Sequence, residues 1–112
     1  KNSESDEDKI SVIEVPGHTP GSTALKVENS EYKLLFTGDT LYDGSVGLCE
    51  HPLGNYNLMM QSIMKKLYPL SDEFVIFPGH GEQSKLGNEK KFNPLIQAEL
   101  RKKKPKIDFI IE

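Results

Sequence analysis

The chain has 112 residues, 36% of them hydrophobic, which is enough for one modest core and too little for two ordinary domains. A net charge of −3 at pH 7 gives no sign of a phosphate-tracking surface, so nucleic acid is not an expected partner. No apolar stretch approaches the roughly 18 residues of a membrane span, and the single cysteine, Cys49, excludes an internal disulfide, so no membrane partner is expected and the expected compartment is the cytoplasm.

Residues 1–9 carry Glu4, Asp6, Glu7 and Asp8 among Ser and Asn and read as an acidic flexible linker or tail ahead of a structured part at 10–112. Residues 10–15 are rich in Ile and Val and predict a strand that Pro16-Gly17 ends. Residues 23–27 and 32–37 predict two more strands, joined as an antiparallel hairpin across Glu28-Asn29-Ser30-Glu31. Residues 38–54 are glycine-rich and predict an irregular passage. Met60, Ile63, Met64 and Leu67 recur at helical spacing until Tyr68-Pro69, and residues 74–77 form an unbroken apolar run that suits a buried strand. Asn93-Pro94 places a capping residue before a proline at the first helical position, which predicts a helix from Pro94 towards Lys103. Residues 107–111 suit a last strand or an apolar tail. Arg101, Lys102, Lys103, Lys104 and Lys106 read as a solvated basic face.

Three of the predicted strands lead into a glycine-bearing turn that carries a metal-ligand residue type: His18 in Pro16-Gly17-His18-Thr19-Pro20-Gly21-Ser22, Asp39 in Phe36-Thr37-Gly38-Asp39-Thr40-Leu41, and His80 in Phe77-Pro78-Gly79-His80-Gly81. Imidazole nitrogen and carboxylate oxygen suit borderline cations such as zinc. A strand end fixes the backbone, while glycine lets the chain turn sharply enough to aim a short side chain inward. Taken singly, each turn is an ordinary loop; the joint pattern in this order carries the signal. Spacings of 21 and 41 residues match no single-helix or knuckle-type zinc motif.

These three motifs closely resemble the last three metal-binding motifs of the metallo-β-lactamase superfamily, and in particular its glyoxalase-II-like (hydroxyacylglutathione hydrolase-like) branch. Phe36 to Gly47 and Gly87 to Pro94 look like that branch as well, so the likeness covers roughly residues 10–97. The resemblance implies an α+β fold: one half of a four-layer αββα sandwich, with a mixed or antiparallel sheet and flanking helices. It implies that His18 binds one metal, Asp39 bridges two and acts in catalysis, and His80 binds the second. Zinc is the implied metal, two ions per complete site, with iron or manganese as alternatives. The implied reaction is hydrolysis of a thioester such as a hydroxyacylglutathione.

The earlier His-x-His-x-Asp-His motif of such enzymes does not occur in this sequence. The chain is therefore expected to be the C-terminal half of the domain, catalytically silent and weakly metal-binding by itself. Its expected partner is the N-terminal half or a complementing chain, or else a second copy. A half-sandwich is expected to leave one sheet face uncovered, built from residues such as Val12, Leu25, Leu35 and Val75. Tyr42 and Tyr56 lie in the stretch that should border the site and are candidate substrate contacts. His51 reads as a polar loop residue, Cys49 as incidental for want of a neighbouring base, and Met59, Met60 and Met64 as core filling.

Glyoxalase II enzymes usually carry a basic residue and aromatics shortly after the Gly-Asp motif, whereas here Gly47 is followed by Leu48, Cys49, Glu50 and His51. The resemblance therefore also admits lactonase, persulfide dioxygenase, β-lactamase and nuclease activities. A reading of another class is a non-catalytic binding or assembly module on the same fold. A structural zinc domain would need a fourth ligand, and the sequence offers no convincing one.

Overall fold

A computed structural model describes residues 7–102. The acidic residues within 1–6, the basic Lys103, Lys104 and Lys106, and the apolar run 107–111 lie outside the described residues. Runs of apolar and β-branched residues form β1 (Lys9–Glu14), β2 (Thr23–Glu28) and β3 (Lys33–Gly38), paired as an antiparallel meander. The first strand starts one residue early, at Lys9, because the backbone there pairs with Glu28. Asp8 accepts hydrogen bonds from Asn29 Nδ2 and Tyr32 OH, both at 2.9 Å, which draws the end of the acidic stretch onto the β2–β3 turn.

The passage after Gly38 is less irregular than its glycine content suggests. Leu41–Tyr42 (β4) and Ser45–Val46 (β5) pair antiparallel across Asp43-Gly44, a dipeptide that favours tight hairpin turns. The predicted first helix is α1 (Tyr56–Ser62), capped by Asn55, whose side chain accepts from Leu58 N at 3.0 Å. It widens into a π-helical turn at Ile63–Leu67, where Tyr68 N bonds to Ile63 O. Next come β6 (Val75–Pro78), β7 (Ser84–Lys85), α2 (Leu86–Phe92) and α3 (Pro94–Lys102). Asn93 Oδ1 accepts from Leu95 N and Ile96 N, the cap that Asn93-Pro94 predicts. The helix α2 is not apparent in the sequence, since Gly87 and Asn88 are poor helix formers; contacts made by Glu89 and Lys90 hold it in place.

The strand order is β1-β2-β3-β6-β7, and β6 joins β3 in parallel, so the sheet is mixed. Val15, Ala24, Leu35 and Ile76 form one core with Met59, Met60, Ile63 and Leu67 of the first helical segment and with Leu86 and Ile96 of α2 and α3. The opposite sheet face is open. Paired residues Val12, Leu25, Phe36 and Phe77 make one row across four strands, and Ile10, Val27, Leu34 and Val75 make the next. Val12 is 67% exposed, Ile10 63%, and Phe36 stacks on Phe77 with ring centroids 5.3 Å apart. Leu35 departs from expectation. It pairs with Lys26 and Ile76, so the pleat turns it into the core, where it is fully buried. Because β3 is apolar on both faces, alternation in its sequence does not say which face is covered. No helix among the described residues is long and apolar enough to cross a membrane.

The two faces predict different costs of truncation in this chain. Leu35→Ala is expected to cost about 2–5 kcal/mol of unfolding free energy. Val12→Ala is expected to stay within about 0.5 kcal/mol. Urea denaturation of the two variants measures both; equal losses would contradict the assignment of faces.

Candidate metal centre

Strand β1 delivers its chain into the turn that carries His18, and the helical segment pins that turn from beneath. Ser62 Oγ donates to Pro16 O at 2.8 Å, Asn55 N donates to Gly17 O at 2.7 Å, and Cys49 Sγ donates to the same carbonyl at 3.6 Å. Within the turn, Thr19 N donates to Ser22 Oγ at 3.1 Å, and Val15 N donates to Ser22 O. With its backbone held, His18 places Nδ1 2.6 Å from Leu48 O. A carbonyl oxygen only accepts, so Nδ1 carries a proton. In the neutral ring the lone pair is then on Nε2, which faces Asp39 Oδ2 at 3.6 Å.

Asp39 follows β3 in a turn closed by Thr40 N on Thr37 O, with the buried Thr37 hydroxyl donating to Leu41 O at 2.7 Å. Its Oδ1 accepts from Tyr42 OH at 2.8 Å and from His80 Nδ1 at 2.9 Å. The Tyr42 hydrogen bond, helped by His80, holds the Asp39 carboxyl below the usual carboxylate range against the opposing effect of burial. In turn, burial and the neighbouring carboxylate push the Tyr42 phenol up to about 12. His80 follows β6, on a loop tied to the Asp39 loop by Gly79 N donating to Gly38 O at 2.7 Å. Its side chain is 77% exposed, with the ring edge-on to Tyr42.

The structure therefore brings His18, Asp39 and His80 together at one end of the sheet. The carboxylate lies between the imidazoles, Oδ2 towards one and Oδ1 towards the other. Among the described residues, no three His, Cys, Asp or Glu side chains close on a single point as a shell for one ion. An Nδ1–H held by a backbone carbonyl leaves Nε2 as the nitrogen that could take a metal, a pattern that metal-ligating histidines share. Two acceptors facing each other at 3.6 Å call for a proton or a cation between them. Glycine keeps the cradle open: a Cβ on Gly79 would lie 2.9 Å from Asp39 Oδ1, and one on Gly47 would lie 1.7 Å from Asp39 O and 3.2 Å from His18 Nδ1. The residues fit a metal.

Of the two tyrosines proposed as substrate contacts, Tyr42 spends its hydroxyl on Asp39. Tyr56, at the start of α1, lines an open cleft of about 360 Å³ with Val46, Leu48, Cys49, Glu50 and Leu95. Burial, and then the negative charge of Glu99, raise its pKa. His51 stands edge-on to His18 with centroids 5.3 Å apart, a proximity that no motif in the sequence signals. Cys49 Sγ lies against Gly17 O and 3.8 Å from Met59 Sδ, a packing position.

Residues 3–80 match the sequence profile of the Metallo-beta-lactamase superfamily. The chain belongs to that superfamily. It is 40% identical over 87 residues to "Hydroxyacylglutathione hydrolase GloC" of Haemophilus influenzae, a match that covers 78% of this chain and 40% of the relative. The fold is similar to that of the BLEG-1 B3 metallo-beta-lactamase, with a TM-score of 0.71 at 30% identity over 86% of this chain and 47% of the other. It is also similar to TTHA1623, solved in a di-iron-bound form, with a TM-score of 0.67 at 35% identity over 77% and 42% of the two chains. The α+β architecture is thus part of a metallo-β-lactamase fold, and the chain spans less than half the length of each of these relatives.

Asp39 contributes stability while it is charged, and that contribution is lost as pH falls through its lowered folded-state pKa. Tyr42→Phe removes the largest cause of the lowering, so in the metal-free chain the Asp39 pKa should rise towards the ordinary carboxylate value. Titration of the Asp39 side-chain carbon by NMR reads this directly; an unmoved value would show that the phenol does not hold the carboxylate.

Proposed function

We propose that this chain is the C-terminal half of a metal-dependent hydrolase that cleaves a thioester of the hydroxyacylglutathione type. His18 and His80 would each hold one of two metal ions, and Asp39 would serve both. The observation that carries this reading is the Asp39 carboxylate set between two imidazoles at one sheet end. The 40% identity to a hydroxyacylglutathione hydrolase supports the thioester as substrate. Zinc is the proposed metal on the character of the donors, and iron is the alternative that the di-iron relative supports.

Bound there, the ions would supply Lewis acidity, polarising the thioester carbonyl and lowering the pKa of water. The chain's own residues fix the geometry. Leu48 O orients the His18 ring, Tyr42 OH and the low pKa of Asp39 keep the carboxylate charged and aimed, and the cleft beside Leu48 and Tyr56 offers apolar wall to a substrate. Three donors divided over two positions leave both unsaturated, so the remaining ligands belong to the upstream half of the domain or to a complementing chain. That partner would cover the open face of Val12, Leu25, Phe36 and Phe77, in a cytoplasmic enzyme. Burying such a face stabilises by roughly 25 cal/mol per Å² of apolar area.

The test is thiol release from a hydroxyacylglutathione by the intact zinc-loaded protein. Asp39→Ala should lower kcat/KM by about 1000-fold or more, since several kcal/mol of charge stabilisation are lost with the bridge. A metal-loaded protein that leaves thioesters intact, or an Asp39→Ala variant with full turnover, would refute the reading. The partner is tested separately. This chain alone should show no thioesterase activity, activity should appear on adding the upstream half, and Phe36→Asp should prevent that recovery by placing a charge in the joined face.

A further inference from the structure

On the α2 helix, Glu89 is 3% exposed, and among the described residues no Lys, Arg or His forms an ion pair with it. A buried carboxylate without a cation is costly unless its lone pairs are filled. Here Oε1 accepts from Gly44 N and from Asn93 Nδ2, each at 2.9 Å, and Oε2 accepts from Ser84 Oγ at 2.5 Å. Asn93, itself fully buried, also donates from Nδ2 to Ser45 O at 3.2 Å. The three donors to Glu89 come from three different segments of chain.

Two of those segments follow the proposed ligand residues. Gly44 is the tip of the β4–β5 hairpin that leaves Asp39, and Ser84 opens β7, which leaves the His80 loop. We propose that Glu89 is a positioning residue for the metal centre, tying the hairpin beyond Asp39 to the strand beyond His80 so that Tyr42 stays aimed at the bridging carboxylate. The hairpin has only two paired positions, Leu41↔Val46 and Tyr42↔Ser45, too few to hold a two-stranded ribbon by themselves. Its base is held by Gly47 N on Thr40 O, and its tip by Glu89 and Asn93. Tyr42 lies between base and tip, so a loose tip moves the hydroxyl that orients Asp39 Oδ1. Loss of partners that orient metal-ligating side chains commonly weakens metal affinity 10–100-fold.

This inference rests on His18, Asp39 and His80 being ligands, and the test separates the two claims. The intact protein is stripped of metal and titrated with Co²⁺ against a competing chelator, with the visible ligand-field spectrum recorded. Glu89→Ala should weaken Co²⁺ binding about 10–100-fold and shift the ligand-field bands. Glu89→Gln should restore both, because its carbonyl accepts from Gly44 and Asn93 while its amide donates to Ser84 Oγ. The control is Lys90→Ala on the same helix. Lys90 Nζ binds Leu70 O at 2.7 Å and Asp72 Oδ1, away from the ligand loops. It should lower the melting temperature without altering the cobalt spectrum.

A folded Glu89→Ala protein with the original affinity and spectrum overturns the proposal, as does an identical spectral change in Lys90→Ala. If Glu89→Ala does not fold, Ser84→Ala decides, with weaker binding and shifted bands supporting the tie and unchanged values overturning it. A parent protein that takes up no cobalt at these residues overturns the ligand reading itself, and this inference with it.

Discussion

Strand direction decides where His18, Asp39 and His80 meet. β1 and β3 are each antiparallel to β2 and so run the same way, and β6 joins β3 in parallel. All three strands therefore deliver their carboxyl ends to one edge of the sheet, and each ends in a turn carrying one of His18, Asp39 and His80. The Gly79 N to Gly38 O bond extends the β3–β6 contact past the last ladder pair and draws the second and third turns together, although 41 residues separate Asp39 from His80. The parallel connection is what the long excursion through β4, β5 and α1 makes sterically available.

Charge at that edge is arranged to persist. Asp39 keeps a low pKa because two donors converge on one of its oxygens, leaving the other directed at an imidazole whose proton is committed elsewhere. A surface carboxylate does not need this degree of restraint for stability, since exposed ion pairs contribute little. The restraint makes sense if a cation is to be held at fixed geometry, where orienting contacts to the ligand side chains matter as much as the ligands.

Much of this arrangement was legible in the sequence, and what escaped has physical causes. The turns that carry His18, Asp39 and His80 stood out because proline and glycine punctuate them directly after apolar runs, and α3 stood out because Asn93-Pro94 is a local start signal that needs no tertiary help. The face occupied by Leu35 was not legible, because Leu34, Leu35 and Phe36 are all apolar and only the pairing register separates in from out. The short hairpin was hidden among glycines, although Asp43-Gly44 was a turn signal within it. For α2 there was little to read: Leu86-Gly87-Asn88 has weak helix propensity, and the element exists because Glu89 and Lys90 find partners far away in sequence. Tyr42 could be placed near the site from its position alone, but its bond to Asp39 depends on the hairpin's aim.

The same sheet that gathers His18, Asp39 and His80 leaves one of its faces open. One face is sealed by helices around Leu35 and Ile76, and the other presents two apolar rows that water would otherwise have to cover. Both features lie on one sheet: the open rows on its outer face, and His18, Asp39 and His80 beyond the carboxyl ends of the same strands. On the proposed reading, a layer from the upstream half placed against β1, β2, β3 and β6 would bury the rows and bring its own edge beside His18, Asp39 and His80. Under that proposal folding and metal binding would be coupled, because the layer that removes Val12 and Phe36 from water would also stand beside His18, Asp39 and His80.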